Sequence, residues 1–471
     1  MERAGQAALS LIKRLYPDSK TLSVVAGGGH NGGDGYVLAR FAFQTGFDVR
    51  VYPAVSPSHL KGDALTAYED FSKLGVEILP FIPHDFEGTE ILVDALFGTG
   101  LNRVIDSSML PVIGAINRYR WDSSPAQSRK RVVFSLDIPS GLNSETGVLM
   151  GAAVKADVTL TFVGKKQGLF TGDGPEYSGN VYFDDLETRL LISKTPTANL
   201  FSPPSPCLPV RSRSSHKGMF GHVLVLGGGI GMGGAPRLTA YAAARTGSGL
   251  ISIGTTLDNA VVDHHYPELM VHALSQKKDF DPLLKKATVV ALGPGLGQTD
   301  WGKWIFAASV ESSRPRVIDA DALNLLAVSP RKIENSVLTP HPGEAGRLLG
   351  ISTADIQKDR FAAVEALHRK YNSVIVLKGS GTLVFDGNEV PTIIQTGNPG
   401  MATGGMGDLL TGIISGLIAQ GLPLIKAAKL GAYLHGLAGD HAAKEKGEIG
   451  LLATDLLPYI HKLLNGRTEL P

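Results

Sequence analysis

The sequence contains a single cysteine, Cys207, and this scarcity excludes an internal disulfide and a zinc site built on several cysteine thiolates. It also lacks an excess of either charge, because 45 lysines and arginines stand against 44 aspartates and glutamates. No strong overall field results, so we expect neither nucleic acid nor a membrane surface as a partner. Any anionic ligand is therefore expected to be bound by a local arrangement of residues.

Long apolar runs are missing as well. The richest, residues 409–425, is interrupted by polar residues and glycines, which is typical of a buried helix and its turn rather than of a membrane span. Charged residues surround the short apolar stretch 7–12, so the first twenty residues do not resemble a secretory signal. Together with the single cysteine, these features predict a cytoplasmic protein.

Glycine is abundant, at 57 residues, and lies in clusters that follow short β-branched runs. A strand-like run, then glycine, then helical spacing is typical of βα units on a parallel sheet, so the fold class is α/β. We predict strands at 21–26, 48–54, 90–95, 132–137, 157–163, 222–226, 250–254, 288–292, 316–319, 336–339, 374–378 and 382–385.

The length of 471 residues suggests two or three domains, at roughly 150 residues each. Residues 195–214 are rich in proline and serine without a periodic apolar face, which predicts a linker. The halves on either side, 1–194 and 215–471, do not share one order of motifs. We therefore predict two domains with different α/β folds.

The first predicted strand is followed by the glycine-rich segment GGGHNGGDG, residues 27–35. Glycines let backbone amides approach a phosphate, and the helix that follows would add the positive end of its dipole. A tight strand-to-helix turn also uses glycine without binding anything. Asn31 and Asp34 favour a binding site, but no acidic residue ends the next strand, so the segment is not the dinucleotide fingerprint.

Two further predicted strands end in polar residues: Asp94 lies in VDALFGTGL, and Asp137 and Ser140 lie in LDIPSG. Because the carboxyl ends of parallel strands converge on one crevice, we expect these side chains to meet Asn31 there. Helix capping alone explains any single one of them. Three such motifs together favour a site.

In that order and spacing, HNGGDG, VDALFGTGL and LDIPSG resemble the NAD(P)H-hydrate epimerase domain. The resemblance implies a Rossmann-like three-layer domain that interconverts the R and S forms of NADHX and NADPHX, the hydrates of NADH and NADPH, at C6. It also implies that Asp137 is catalytic and contacts the substrate, and that Asn31, Asp94 and Ser140 hold K⁺, which suits oxygen ligands. The other implied substrate-lining residues are His30, Asn31, Gly32, Gly33 and Asp34, with Gly98, Thr99, Gly100, Leu101, Asn102, Arg103 and Val104.

The sequence departs from this family in two places. The family usually has asparagine where His30 stands. The opening MERAGQA resembles the interior of the family's N-terminal region, which has roughly one more helix before it. We therefore expect the N-terminal helix of the domain to be truncated.

In the second half, GGGIGMGGA (227–235) and GPGLG (293–297) are glycine turns at strand ends. DADALN (319–324) and TPHPGE (339–344) place carboxylates and His341 at the two next strand ends. A histidine after a strand is more often structural, whereas a proline-flanked histidine beside a cleft is a reasonable substrate contact. Both interpretations of His341 stay open.

The strongest motif is GNPGMATGGMGD, residues 397–408, directly before the helical pattern 409–419. Phosphoryl transfer needs donors aimed at spreading negative charge and a base beside the accepting hydroxyl. The amides of residues 405–407 predict an anion hole, and Asp408 is placed to act as the base. The alternative is a loop whose Asp408 only caps the helix. KGSGT, residues 378–382, predicts a second phosphate cradle with a cation.

A glycine-rich helix start that ends in aspartate resembles small-molecule kinases of the ribokinase type. Taken with HKGMFGHVLVLGGG, GMGGAPRLTAYAAARTGSGL, PELMV, GPGLG, DADALN, TPHPGE and KGSGT, the set resembles the ADP- or ATP-dependent NAD(P)H-hydrate dehydratase. The resemblance implies a ribokinase-like α/β domain in which a nucleotide phosphorylates the C6 hydroxyl of the S hydrate before phosphate is eliminated. It implies hydrate contacts at Ala235, Gly295, His341 and catalytic Asp408, and nucleotide contacts at Lys378, Gly379, Ser380, Gly381, Thr382 and Gly407.

Mg²⁺ is expected because it neutralises charge between phosphates. Fused members of the family favour ADP, giving AMP and phosphate, but no residue decides between ADP and ATP. We also expect a homo-oligomer.

One alternative is a vitamin-precursor or sugar kinase with a regulatory N-terminal domain. Another is that the N-terminal domain is only a binding module, which the set Asn31, Asp94, Asp137 and Ser140 disfavours.

Overall fold

The computed structural model describes all residues except 77, 81–85, 122–130, 189–194, 205–207, 262, 264–265 and 467–471, so Cys207 lies outside the described residues. The chain forms two compact units, Met1–Thr195 and Pro196–Pro471.

The first unit is built on a parallel sheet in the order β2-β1-β3-β4-β5-β6. Its strands are β1 (Thr21–Ala26), β2 (Asp48–Pro53), β3 (Ile91–Ala95), β4 (Val132–Leu136), β5 (Val158–Phe162) and β6 (Asn180–Asp184). Its helices are α1 (Glu2–Leu15), α2 (His30–Gln44), α3 (Gly62–Ser72), α4 (Leu110–Trp121) and α5 (Gly174–Ser178).

Successive residues of the central strands point to opposite faces of this sheet. In β1, Val24 packs with α1, α2 and α3 in one apolar cluster, whereas Val25 packs with α4 in another. Helices therefore cover both faces, and the predicted Rossmann-like three-layer fold is confirmed.

The second unit has a mixed sheet in the order β10-β9-β8-β11-β12-β13-β14-β15-β16-β7. Only the pairs β14/β15 and β15/β16 are antiparallel. Its strands are β7 (Asn199–Leu200), β8 (His222–Leu226), β9 (Leu250–Thr255), β10 (Met270–Ala273), β11 (Val289–Leu292), β12 (Arg316–Ile318), β13 (Ser336–Leu338), β14 (Val374–Leu377), β15 (Thr382–Phe385) and β16 (Thr392–Ile394).

The helices of this unit are α6 (Gly234–Thr246), α7 (Lys277–Lys286), α8 (Asp300–Val310), α9 (Ala320–Val328), α10 (Pro342–Leu349), α11 (Thr353–Lys358), α12 (Arg360–Tyr371), α13 (Met406–Ala419), α14 (Leu424–Lys446) and α15 (Leu457–Leu464). Helix α13, which contains most of the richest apolar run, is almost entirely buried against α6 and α14. Among the described residues, no helix combines the length and the apolar character needed to cross a bilayer.

Every strand predicted from the sequence is present, with each end within one residue of the prediction. Four strands were not predicted: β6, β7, β10 and β16. Strands β6, β7 and β10 lie at sheet edges and are only partly buried, so they lack the continuous apolar run that marks the central strands. Strand β16, next to an edge, has only three residues.

The predicted linker at 195–214 needs correction, because β7 lies inside it. Asn199 and Leu200 pair in parallel with β16, and the Asn199 amide donates to the Pro391 carbonyl at 2.9 Å. The Phe201 amide donates to Ile393 at 3.0 Å, and its ring lies 5.4 Å from that of Tyr433. The first part of this segment therefore belongs to the second unit. A two-residue strand is too short to show periodicity, which is why the prediction missed it.

Candidate active sites

A cavity of about 530 Å³ opens in the first unit beyond the carboxyl ends of β1, β3 and β4. Its walls combine the start of α2, the loop after β3 and the end of β4. The predicted substrate-lining residues that face it are His30, Asn31, Asp34, Gly98, Thr99, Gly100, Leu101, Asn102, Arg103, Val104 and Asp137. The sequence motifs of this half thus converge on one crevice.

Gly32 and Gly33 do not line this cavity. Helix α2 begins at His30, earlier than the apolar pattern from Tyr36 indicated, so both glycines lie in its first turns. A Cβ on Gly32 would stand 2.0 Å from the Gly27 carbonyl oxygen, and one on Gly33 would stand 2.7 Å from the Met1 sulfur. These two glycines allow close packing of the helix. This is the role of glycine in a tight strand-to-helix turn that binds no ligand.

The three predicted cation ligands lie together around the Phe97 backbone. Buried Asp94 accepts hydrogen bonds from Ser140 Oγ at 2.6 Å and from the Ser140 amide at 2.8 Å. The Phe97 amide donates to Ser140 Oγ at 2.8 Å, and Asn31 Nδ2 donates to the Phe97 carbonyl at 3.0 Å. Asn31 Oδ1 is buried and has no hydrogen-bond partner among the described residues. An orphaned oxygen beside other oxygens suits a hard cation.

Asp137 directly follows β4 in the left-handed conformation, with φ +64°. Its Oδ1 forms an ion pair with Lys166 and accepts the Phe162 amide at 3.2 Å. Lys166 Nζ also donates to the Phe162 carbonyl at 2.6 Å. Sequence reasoning missed Lys166 because it lies in VGKKQG after β5, a segment with no recognised pattern.

Asp34, on α2, shares the cavity with Asp137. Burial raises the pKa of Asp34 to about 7, and the Asp137 charge adds to the rise, while the amino terminus and Lys166 oppose it. The two carboxyl groups of one cavity therefore have different surroundings: Asp34 is desolvated, and Asp137 is paired with a cation.

In the second unit, α13 begins at Met406, just after Gly405 in a left-handed conformation with φ +90°. A Cβ on Gly407 would stand 3.3 Å from both Asp319 Oδ2 and Lys378 Nζ. The amino end of α13 therefore adjoins the ends of β12 and β14, where Asp319 and Lys378 lie. This brings predicted nucleotide contacts from two distant motifs together.

Lys378 is held by two buried carboxylates that were not among the predicted contacts. Its Nζ lies 2.8 Å from Asp319 Oδ1 and 3.7 Å from Glu344 Oε2, and Asp319 Oδ2 accepts the Thr411 hydroxyl at 2.9 Å. Burial alone would lower the pKa of Lys378, but the charges of Asp319 and Glu344 outweigh it and raise this pKa. Lys378 is therefore a fixed cation at the amino end of α13.

Asp408 lies next to this network. Burial raises the pKa of Asp408 to about 7; Asp319 adds to the rise, and Lys378 opposes it. The Thr239 hydroxyl contacts the carbonyls of Asp408 at 3.0 Å and Ala235 at 3.2 Å, which ties α6 to α13. A Cβ on Gly295 would stand 3.2 Å from that of Ala235. The predicted hydrate contacts Ala235, Gly295 and Asp408 are thus neighbours.

His341 caps α10, since its Nδ1 accepts the Gly343 amide at 3.0 Å. Its Nε2 lies 3.6 Å from Glu344 Oε1, and Glu344 in turn faces Lys378. Burial lowers the pKa of His341, with a further contribution from Lys378, so the ring is neutral at pH 7. His341 therefore caps α10, and its ring also lies beside the charged side chains of Glu344 and Lys378.

Arg360 is a buried residue that sequence reasoning missed, because an arginine at a helix start is usually solvated. Its guanidinium donates to the carbonyls of Leu377 at 3.2 Å and Lys378 at 3.3 Å, and burial lowers its pKa to about 10. A Cβ on Gly379, whose φ is +133°, would stand 2.9 Å from Arg360 Nη1. The Arg360 side chain thus packs beneath the KGSGT turn and holds its backbone.

We expect Gly379→Ala to lower the free energy of unfolding by about 1–3 kcal/mol, because it combines a strained φ with a clash against Arg360. Denaturant unfolding measures this effect. Gly350→Ala is the matched control, since Gly350 also has a positive φ but no atom within 4 Å of its Cβ position. An equal loss in both variants would show that the contact with Arg360 contributes nothing.

Two family descriptions match the chain: NAD(P)H-hydrate dehydratase over residues 223–462, and YjeF-related protein N-terminus over residues 1–168. The bifunctional NAD(P)H-hydrate repair enzyme of Coxiella burnetii is 46% identical over 479 residues, covering 99% of this chain and 94% of the relative. The chain belongs to this family. The expectation drawn from the motifs of the two halves is confirmed.

Two solved structures are similar to little more than half of the chain. The ADP/ATP-dependent NAD(P)H-hydrate dehydratase of Bacillus subtilis, co-crystallised with ATP and Mg²⁺, is 31% identical with a TM-score of 0.51, covering 55% of this chain and 94% of that one. A ribokinase-like superfamily protein of Enterococcus faecalis is 29% identical with a TM-score of 0.52, covering 58% and 98%. The predicted ribokinase-like fold is confirmed.

Proposed function

We propose that the first unit epimerises the R and S hydrates of NADH and NADPH at C6, and that the second unit dehydrates the S hydrate with a nucleotide. The observation that carries the proposal is the meeting of the α13 amino end, the fixed cation Lys378 and the Asp408 carboxyl group. The family membership and the names of the relatives support it.

In the dehydration, the amides at the start of α13 and Lys378 face the phosphoryl group and stabilise the charge that spreads during transfer. Asp408 accepts the proton of the C6 hydroxyl as the oxygen bonds to phosphorus. The phosphate then leaves with the C6–O electron pair, and a water molecule takes the proton from C5, whose C–H electron pair forms the new bond to C6. The C5=C6 double bond of the dihydronicotinamide is restored.

We propose ADP as the nucleotide, which gives AMP and phosphate, and Mg²⁺ as its metal. Mg²⁺ usually binds through phosphates, water and one or two carboxylates. Asp319 fits as the carboxylate, because its Oδ2 lies beside Gly407. When bound, the ion neutralises charge between the phosphates. Arg360 supports the turn from Lys378 to Thr382, which we propose holds the nucleotide together with Gly407.

One assay tests the whole function: the full chain is mixed with R and S NADPH hydrates and Mg²⁺, with ADP or ATP. We expect recovery of the dihydronicotinamide absorbance from both hydrates, with one phosphate released per hydrate and faster turnover with ADP. A phosphorylated product that accumulates without recovered absorbance would indicate a kinase instead.

The cation site of the first unit is proposed to hold K⁺ through Asn31, Asp94 and Ser140. The buried, unpartnered Oδ1 of Asn31 supports this. We expect that replacing K⁺ with tetramethylammonium lowers the rate of epimerisation and the Tm, because a cation that binds only the folded state stabilises it. Asn31→Ala should remove both K⁺ effects. Unchanged K⁺ effects in Asn31→Ala would contradict the assignment.

The raised pKa of Asp408, about 7, predicts a pH dependence of dehydration. Only the ionised carboxylate accepts a proton, so kcat/KM should fall about tenfold per pH unit below about pH 6 and level off above about pH 8. Initial rates at fixed ionic strength measure the profile. The residual activity of Asp408→Asn should not fall in this way at low pH. A wild-type kcat/KM that does not change with pH would argue against Asp408 as the base.

We also propose that the protein assembles as a homo-oligomer, and light scattering after gel filtration measures its mass.

A further inference from the structure

The cavity of the first unit holds two carboxyl groups that come from different elements. Asp34 projects from the second turn of α2, and Asp137 stands at the end of β4. Each keeps 16% of its side-chain exposure, so both are open to a ligand in the cavity. A substrate bound in this cavity therefore meets two proton-transfer groups that come from separate elements.

The two oxygens of Asp137 have different roles. Oδ1 is anchored by the Lys166 ammonium and the Phe162 amide. Oδ2 faces Gly98, where a Cβ would stand 3.9 Å from it. Gly98 lines the cavity, so Oδ2 is the oxygen presented to a substrate.

Lys166 is itself fixed, since its Nζ bonds to the Phe162 carbonyl at 2.6 Å as well as to Asp137. It holds the Asp137 carboxylate in a direct ion pair, whereas burial raises the pKa of Asp34 to about 7 and so favours its protonated form. A pair of carboxyl groups whose environments differ in this way is typical of an acid and its base.

The geometry points to Asp34 and Asp137 as an acid–base pair that inverts C6 by breaking and remaking its C–O bond, with Lys166 as the positioning residue for Asp137. This inference rests on the proposed epimerase function of the cavity and names its chemistry.

Inversion at C6 proceeds through loss of one water molecule and addition of another, while a proton passes from Asp34 to the leaving water and from the entering water to Asp137. Asp34 gives its proton to the C6 hydroxyl, the C6–O bond breaks, and water leaves with the electron pair while the N1 lone pair forms an N1=C6 double bond. A water molecule then adds to the other face of C6, returning the electron pair to N1, and Asp137 takes its proton. In the reverse direction the two carboxyl groups exchange roles. Nothing is oxidised or reduced.

Oxygen exchange tests this step. The full chain is incubated with pure R NADPH hydrate in ¹⁸O water without nucleotide, and a sample without enzyme gives the spontaneous background. We expect one ¹⁸O atom in the S hydrate for each inversion. Inversion that retains the original oxygen would indicate opening of the ring at the N1–C6 bond and overturn this inference, although the epimerase function would stand. No inversion above background would instead overturn the epimerase function.

Variants test the residues. Asp34→Asn and Asp137→Asn should each lower the kcat of epimerisation about 10²–10⁴-fold, as loss of a general acid or base does. The dehydratase activity of the same chain, measured on pure S hydrate, reports that the chain is folded. Asp63→Asn, at an exposed position of α3, is the matched control. A wild-type kcat in Asp34→Asn would remove Asp34 as the acid.

For Lys166 we expect Lys166→Met to lower kcat at least tenfold with little change in the KM for the hydrate, and Lys166→Arg to restore most of it. Lys165→Met is the control, because Lys165 is exposed and its Nζ lies 5.9 Å from the centre of the Phe183 ring. A lower kcat that Lys166→Arg does not restore would show that Lys166 does not position Asp137. A rise in KM with an unchanged kcat would show the same.

Discussion

We expect Asp408→Asn to slow dehydration of the S hydrate by about 10²–10⁴-fold while nucleotide affinity stays near that of the wild type. Asparagine keeps the shape of the side chain but cannot accept the proton of the C6 hydroxyl. We propose that the nucleotide binds to the amides of α13 and to Lys378, which this change leaves in place. Single-turnover rates and nucleotide titration by calorimetry separate the two effects.

Stability provides the control for this variant. An acid whose pKa rises from 3.8 to about 7 on folding stabilises the fold fully below pH 3.8, and that contribution is lost as the pH rises to about 7. At pH 8, ionised Asp408 therefore destabilises the fold, and the neutral Asn variant should unfold at a higher temperature than the wild type. Asp281→Asn, at an exposed position of α7, should change neither rate nor Tm. Wild-type turnover in Asp408→Asn would remove Asp408 as the base.

The second large effect is expected for Asp137→Ala. With ADP and mixed hydrates, the S hydrate should be consumed at the wild-type rate, while the R hydrate should persist and disappear only as fast as it epimerises spontaneously. The reason is that Asp137 is the ion-paired carboxylate of the cavity that we propose as the epimerase site, and it is remote in sequence from Asp408. Chromatographic separation of the two hydrates over time measures both rates.

Backbone strain must be separated from the loss of the carboxylate at this position. Asp137 has φ +64°, a conformation that aspartate and asparagine tolerate better than alanine does. Asp137→Asn should therefore be more stable than Asp137→Ala and match it in its loss of epimerisation. If both hydrates disappear at equal rates in Asp137→Asn, the epimerase assignment of this residue is wrong.

The central strands could be predicted from the sequence because each is a short, buried, mostly apolar run, and some, such as residues 223–226, are followed directly by glycine. Local patterns also located the convergence of Asn31, Asp94 and Ser140, since strand ends of a parallel sheet meet at one edge. Helix starts were less accurate: α2 and α13 begin inside glycine-rich segments, where glycine normally argues against helix.

The residues missed by sequence reasoning share one property, which is that their roles depend on tertiary neighbours. Arg360 and Lys166 carry charges that local patterns assign to solvent, yet one lies beneath Gly379 and the other against Asp137. Glu344 lies in the recognised motif TPHPGE, but its partner Lys378 lies 34 residues later, directly after β14. Such pairings arise from the fold and produce no recognisable spacing of residues in the sequence.

The position of β7 has a practical consequence for separating the two activities. A polypeptide that starts at residue 215 would leave the backbone groups of β16 along that side without their partners at Asn199 and Phe201, and Tyr433 without the Phe201 ring. An open strand edge invites self-association. Cutting the gene before the codon for Pro196 keeps the sheet edge covered, so the shorter dehydratase fragment should precipitate where the longer one stays in solution.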